Sequence, residues 1–254
     1  MPDFSNNFQG PFTRLRGRNI ALPTAEANIN EFNTLNIRWA SVFDAAYRLD
    51  IASSSAADAA AGTGARTIDI YGLDSQWMLQ KETVTLTGQT MLTTTKYFRR
   101  VFEIVVATAG SGFLNAGDIY VVKSGTGGTW TAGVPGTLTG ATIKCLVGDN
   151  YGLSGIWTVP ADEKPYGLSS IFCSARAQSG TIRIWHGFPA DAASLGYPSL
   201  KLDYAPANPV ILATPDPLMI LNPKEDVYLT ATGATAGGFL SVICQFSRQG
   251  RSSY

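Results

Sequence analysis

The chain has 254 residues and a formal net charge of zero, 19 Lys and Arg standing against 19 Asp and Glu. No basic excess exists to neutralise phosphates, which points away from a dedicated nucleic-acid binder, and a composition 45% hydrophobic and 11% aromatic excludes a disordered chain. Only 15% of residues are charged, against about 25% in a typical soluble domain, so with no net charge to hold copies apart much of the surface is expected to meet other protein.

The length suits one large or two small domains. No run approaches about 18 consecutive apolar residues, so no transmembrane helix is predicted. The opening Met1 to Phe8 has neither a basic n-region nor an apolar h-region, and no secretory leader is expected. Cys145, Cys173 and Cys244 lie far apart with no CxxC pair, which reads as buried free thiols in a protein that folds in a reducing cytosol.

In chain order, Asn-rich residues 1–10 lead into Thr13-Arg14-Leu15-Arg16-Gly17-Arg18, which reads as part of an extended arm. Thr24 is positioned to cap a short helix. Residues 37–47, with Trp39, Val42, Phe43 and Tyr47, form the first segment that must bury something. The small-residue run 53–65 is either a loop or a short Ala-rich helix ended by Gly62. From Arg66 onward the hydrophobic period is two. Residues 67–71 and 83–87 alternate as half-buried strands, and Gly88-Gln89 between Thr-rich runs predicts a type II′ turn closing a hairpin over 82–95. Residues 97–108 are apolar on both faces in their second half, as for a strand entering the middle of a two-layer core. Further strands are predicted at 118–123, 141–147, 156–161, 166–177, 181–188, 209–213, 226–232 and 239–248, with Gly/Thr-rich 124–140 as a loop or loose hairpin. The expected fold is all-β: a β-sandwich, jelly-roll-like, of one or two sandwich units with an extended N-terminal arm. The expected division is 1–50 as arm and attachment segment, 51–150 as a β-sandwich region, and 151–254 as a second sandwich or completion of the same one.

The inventory of chemical groups is thin. His186, in Ile184-Trp185-His186-Gly187-Phe188, is the only imidazole, so a His-rich metal site is excluded and any Ser-His-Asp triad would have to use it. No GxSxG elbow or D-x-D-x-D-G calcium loop occurs. Gly125-Thr126-Gly127-Gly128-Thr129 lacks the spacing and lysine of a phosphate loop, and Gly62-Thr63-Gly64 precedes a strand instead of opening a helix. The reading is therefore of no enzyme, no cofactor and no metal. The candidate partner contacts are the arginines: Arg14, Arg16 and Arg18, of which the first two fall on one side of an extended chain, then Arg99 and Arg100. Arg100 shares a face with Phe98 and Phe102 and is expected to pair with a carboxylate there. Trp130, in Thr129-Trp130-Thr131, is the remaining candidate contact.

The block 53–74, then Glu82-Thr83-Val84-Thr85-Leu86-Thr87-Gly88, Arg99-Arg100-Val101-Phe102, Ala109-Gly110-Ser111-Gly112 and Asn115-Ala116-Gly117-Asp118-Ile119, follow one another in an order that resembles a group of tailed-bacteriophage virion structural proteins, common among marine and cyanobacterial phages. Trp157-Thr158-Val159-Pro160-Ala161 and the run 220–229 extend the resemblance, which covers roughly 53 to 246. It implies a non-enzymatic β-sandwich component of the particle, as capsid decoration, neck or tail protein, folded in the host cytoplasm and resident in the virion. The implied partners are copies of itself and other virion proteins (major capsid, neck or tail), with no membrane and protein favoured over nucleic acid. On this reading the β body packs against other coat proteins and the arm supplies the directional contact. The alternative is a host-recognition or carbohydrate-binding module, in which Trp130, Tyr151, Trp157, Trp185 or Tyr197 stacks on sugar rings instead of filling the core. A hydrolase acting through His186 is the third.

Overall fold

The computed structural model describes residues 12–32, 43–176, 178–187, 200–205, 210–213 and 219–248. Within them lie eighteen strands and no helix: β1 (Phe12–Leu22), β2 (Ala27–Asn28), β3 (Leu49–Ser53), β4 (Ala65–Leu73), β5 (Leu79–Thr85), β6 (Leu92–Thr93), β7 (Arg100–Ala109), β8 (Ile119–Lys123), β9 (Ala141–Cys145), β10 (Tyr151–Leu153), β11 (Ile156–Thr158), β12 (Tyr166–Arg176), β13 (Gly180–Gly187), β14 (Leu200–Tyr204), β15 (Val210–Ala213), β16 (Ile220–Leu221), β17 (Asp226–Gly233) and β18 (Gly238–Arg248). They fall into two compact units. One is built from the described residues of 12–29 and 155–248, the other from 30–32 and 43–154.

In the first unit β1-β18-β12-β15 form one antiparallel sheet, with β16 beside β12, and β11-β17-β13-β14 form another, with β2 beside β17. Numbered 1 to 8 in chain order, the principal strands β1, β11, β12, β13, β14, β15, β17 and β18 read 1-8-3-6 and 2-7-4-5 across the two sheets. That is the strand order of an eight-stranded jelly roll, two Greek keys rolled together. Trp157 on β11 fills the space between the sheets. It meets Tyr166 of β12 edge-on at 5.3 Å and Phe246 of β18 at 5.5 Å, and all three are buried. Alternation along β18 sends Leu240, Val242, Cys244 and Phe246 into this core and Phe239, Ser241, Ile243 and Gln245 away from it.

The second unit has the same order, cut at a different place. Its sheets are β5-β4-β7-β10 and β6-β3-β8-β9. Counting from β5 and placing β3 and β4 last restores 1-8-3-6 and 2-7-4-5, so this unit is a circularly permuted jelly roll. The permuting connection is the β4–β5 hairpin, where Asp74 Oδ1 accepts the amides of Gln76 and Met78 at 2.8 and 2.9 Å and Trp77 takes φ 65°. Leu49 and Ile51 of β3, Ile68 and Ile70 of β4, Ile104 of β7 and Val121 of β8 form its core. Along the chain, this whole unit lies between the first and second strands of the other jelly roll.

Several expectations are corrected. Residues 12–22 are not a free arm. They form β1, the first jelly-roll strand, paired with β18 from Phe12↔Ser247 to Leu22↔Gly238, because Thr13, Leu15, Gly17 and Asn19 have a core to face. Gly17 is required there, since a Cβ would stand 2.2 Å from the carbonyl of Ile29. Residues 23–26 form a bend, so Thr24 caps no helix. The Gly88 turn exists, with φ 68°, but closes no hairpin: β5 pairs with β4 and β6 with β3. Residues 54–64 form a loop, as one of the two readings had it. In β7 the fully buried half is Arg100–Ile104, while Val105–Ala109 is partly open. Phe43 of the 37–47 segment is buried, whereas Trp39 and Val42 lie outside the described residues.

Candidate functional site

The arginines of β1 gain their meaning from the sheet they belong to. With Leu15 and Gly17 turned inward, Arg14, Arg16, Arg18 and Ile20 share the outer face. Register then sets their neighbours. Arg14 lies beside Gln245 and Ser170, Arg16 beside Ile243 and Phe172, and Arg18 beside Ser241 and Ser174, with Arg176 next to Phe239. Phe172 is 42% and Ile20 40% exposed. Strands β1, β12, β15, β16 and β18 contain no Asp or Glu, yet β1 and β12 supply Arg14, Arg16, Arg18 and Arg176. Arg248, at the end of β18, is engaged by Glu163. The opposing sheet carries both signs, Arg183 and Lys201 with Asp203 and Asp226. The strands of this sheet thus line up arginines on one face, with small polar and apolar side chains between the guanidiniums, and contribute no carboxylate of their own.

The other arginine pair is spent internally. Arg100 is fully buried and donates to the carbonyls of Phe43 at 3.2 Å and Arg99 at 2.7 Å. Arg99 donates to the Asp44 carbonyl at 3.2 Å, and both guanidiniums lie over the Trp77 ring, at 4.4 and 4.8 Å. Arg100 is therefore a structural clamp and not a partner contact, because a buried side chain reaches no partner, and the groups it answers include two carbonyls and an indole. No protein-family model and no curated protein matches the chain.

Trp130 is half-buried in the 124–140 loop. Its indole lies against Gly127, where a Cβ would come 2.8 Å from Nε1. Thr131 and Val134 exchange backbone hydrogen bonds at 2.9 and 3.0 Å around Ala132 and Gly133, both at positive φ, so the loop tip is a tight fixed turn. Of the other aromatics, Trp157 and Trp185 are buried, the latter stacked on Tyr228 at 6.0 Å and donating to Thr230 Oγ1 at 2.8 Å. Tyr151 is 38% exposed, and Tyr197 lies outside the described residues.

His186 Nδ1 is buried and meets no hydrogen-bond partner among the described residues, whereas a general base needs an acceptor on that nitrogen to fix its tautomer. Among the described residues, no three His, Cys, Asp or Glu side chains gather as a metal would require. The thiols are muted by burial, which pushes Cys173 up to about 11 and raises Cys145 and Cys244 as well.

The most constrained carboxylate is one that sequence reading missed. Asp58 is fully buried. Its Oδ1 accepts the amides of Ala65 and Ala116 at 2.7 and 2.8 Å, and its Oδ2 the Ser53 hydroxyl at 2.6 Å and the Gly117 amide at 2.9 Å. Its carbonyl takes the Gly88 amide at 2.8 Å. Gly64 is forced by this arrangement, since a Cβ there would stand 2.1 Å from Oδ1. Asp58 thus ties together the 54–64, 86–91 and 110–118 loops. The available signal was an acid alone among small residues, with Gly-rich segments far away in sequence whose amides needed an acceptor.

Proposed function

We propose that the protein is a non-enzymatic structural component of a bacteriophage particle that self-assembles and attaches, through the arginine-bearing face of its first jelly roll, to an acidic surface of a neighbouring capsid, neck or tail protein. The virion assignment rests on the resemblance over residues 53 to 246. The observation that carries the attachment surface is the row Arg14, Arg16, Arg18 and Arg176 on a sheet whose strands hold no carboxylate. Individual exposed ion pairs contribute only about 0.2–1 kcal/mol. Affinity therefore comes from burying Phe172, Ile243 and Ile20, and the arginines supply orientation and partner choice. Arginine suits this role because its planar fork engages carboxylates bidentately.

Co-sedimentation of the tagged chain with purified particles tests the reading. The wild type is expected to pellet with them, and Arg14→Glu with Arg16→Glu to weaken attachment at least tenfold, with higher salt weakening the wild type in the same direction. A chain that never associates with particles sinks the proposal. The fixed loop around half-exposed Trp130 supports a second reading, surface glycan recognition, and binding on a glycan array that Trp130→Ala abolishes would put it first.

A further inference from the structure

The chain leaves the first unit after Ile29 and re-enters it at Gly155, and both points fall on one residue of β17. Strand β13 runs along one edge of β17, and β2 and β11 share the other in the same direction. Ala27 and Asn28 stand opposite Ala231 and Thr230, and Ile156, Trp157 and Thr158 opposite Tyr228, Val227 and Asp226. Leu229 lies between the two sets. The Ile29 amide donates to its carbonyl at 3.0 Å, and its own amide donates to the Gly155 carbonyl at 3.1 Å. In an unbroken antiparallel ladder a single residue makes both of these bonds. Ile29 and Ile156 therefore hold consecutive places against β17, although residues 30–155 separate them in the chain. The facing of side chains passes through the break as well. Ala27, Ile29 and Trp157 are buried opposite Ala231, Leu229 and Val227, which are buried too, and a Cβ on inward-facing Gly17 would stand 3.1 Å from that of Ile29. Asn28, Ile156 and Thr158 take the alternate places.

We infer that the second unit is a module set into one strand of a self-sufficient jelly roll, and that this jelly roll by itself attaches to the particle. Register and facing continue without a slip, as in a single strand opened between two neighbouring residues. Residues 27–29 and 156–158 thus make up the second strand of the first jelly roll, joined to β1 by the bend at 23–26. Both sheets of that unit are complete without any strand from 30–154. Insertions and excisions are tolerated where the joined ends are adjacent, and here no linker is needed, because the Ile29 carbonyl can take the place against the Leu229 amide that Gly155 holds. The division of labour follows from where the candidate contacts lie. Arg14, Arg16, Arg18 and Arg176 belong to the interrupted jelly roll, whereas Trp130, the candidate for glycan recognition, belongs to the module. The module can then be lost or exchanged without loss of attachment.

The attachment half rests on the proposed function, and the insertion half on strand register alone. Calorimetry and co-sedimentation with purified particles test them. In the full chain, Asp58→Asn is expected to lower the transition of the second unit and leave that of the first in place. A chain with Ile29 joined directly to Ile156 is expected to unfold in one cooperative step and to pellet with particles with the affinity of the full chain, Arg14→Glu with Arg16→Glu weakening both by the same factor. A junction one residue shorter, Asn28 to Ile156, sets two outward-facing residues in succession and is expected to lower the unfolding midpoint. A single transition that Asp58→Asn moves as a whole, a joined chain with no cooperative transition, or equal midpoints for the two junctions overturns the insertion. A folded joined chain that fails to pellet where the full chain does overturns attachment by the first unit alone. A full chain that never pellets defeats the virion reading and the attachment half with it, while cooperative unfolding of the joined chain still upholds the insertion.

Discussion

Asp58 shows how one buried charge can organise a region without doing chemistry. A carboxylate in the interior is tolerable only when its oxygens are fully answered, and here three amides and a hydroxyl from three separate chain segments answer them. Asp58→Asn keeps the shape but turns one acceptor into a donor that faces donors. Hydrogen bonds to charged groups each contribute about 1.5–3 kcal/mol, so the variant is expected to lose roughly 3 kcal/mol in chemical denaturation of the second unit. Gly64→Ala strikes the same knot, placing a methyl against Oδ1. The two losses are expected to combine to less than their sum by at least about 1 kcal/mol, the mark of shared partners. Additive losses would show that Asp58 and Gly64 act independently. Arg100 makes the same point for a cation: in sequence it is half of a basic pair, and in the fold it closes the Phe43 and Arg99 carbonyls beneath Trp77.

At the scale of the element, β1 changes what the N-terminal region is. The alternation in Thr13-Arg14-Leu15-Arg16-Gly17-Arg18 was legible in the sequence, as was the shared side of Arg14 and Arg16. What the opposite side faces was not, because an extended segment with one apolar edge reads equally as an arm on a neighbour or a strand in its own sheet. The partner, β18, lies more than two hundred residues away in sequence, and strand periodicity fixes which face is buried without fixing the neighbour. Leu15 separates the two cases. It is 3% exposed between the sheets, and deleting such a side chain costs about 2–5 kcal/mol. Leu15→Ala is therefore expected to lower the unfolding midpoint of the first unit in chemical denaturation, whereas a free arm would leave it untouched. The Gly88 turn was misjudged for a related reason. Its local chemistry was right, but the Asp58 carbonyl and Ser53 amide capture Gly88 and send the two flanking runs into different sheets.

For the whole molecule, one strand order used twice with different chain breaks implies two separable cores. In the second unit the order is complete within residues 43–154, and circular permutation is tolerated where the joined ends are adjacent in the sheet. An isolated 43–154 fragment is expected to fold alone and unfold in one cooperative step, and the full chain to show more than one transition by calorimetry. A fragment without a cooperative transition would mean that its core depends on the rest of the chain. Charge is also distributed at this scale. One sheet of the first unit has arginines and no carboxylate in its strands while the opposing sheet carries both signs, so the zero net charge of the chain is a sum over unlike surfaces.

The sequence by itself determined the all-β class, most strand positions, the burial of the thiols and the alternation that lines up the β1 arginines, because each follows from composition or from a period of two within a short window. Tertiary structure decided the rest: that 12–22 is a jelly-roll strand, that one jelly roll is threaded between two strands of another, that Arg100 is interior and that Asp58 binds distant loops. These depend on which segments meet. Pairing between strands is non-local, and a backbone amide looking for a carboxylate carries no mark of it in its own residue type.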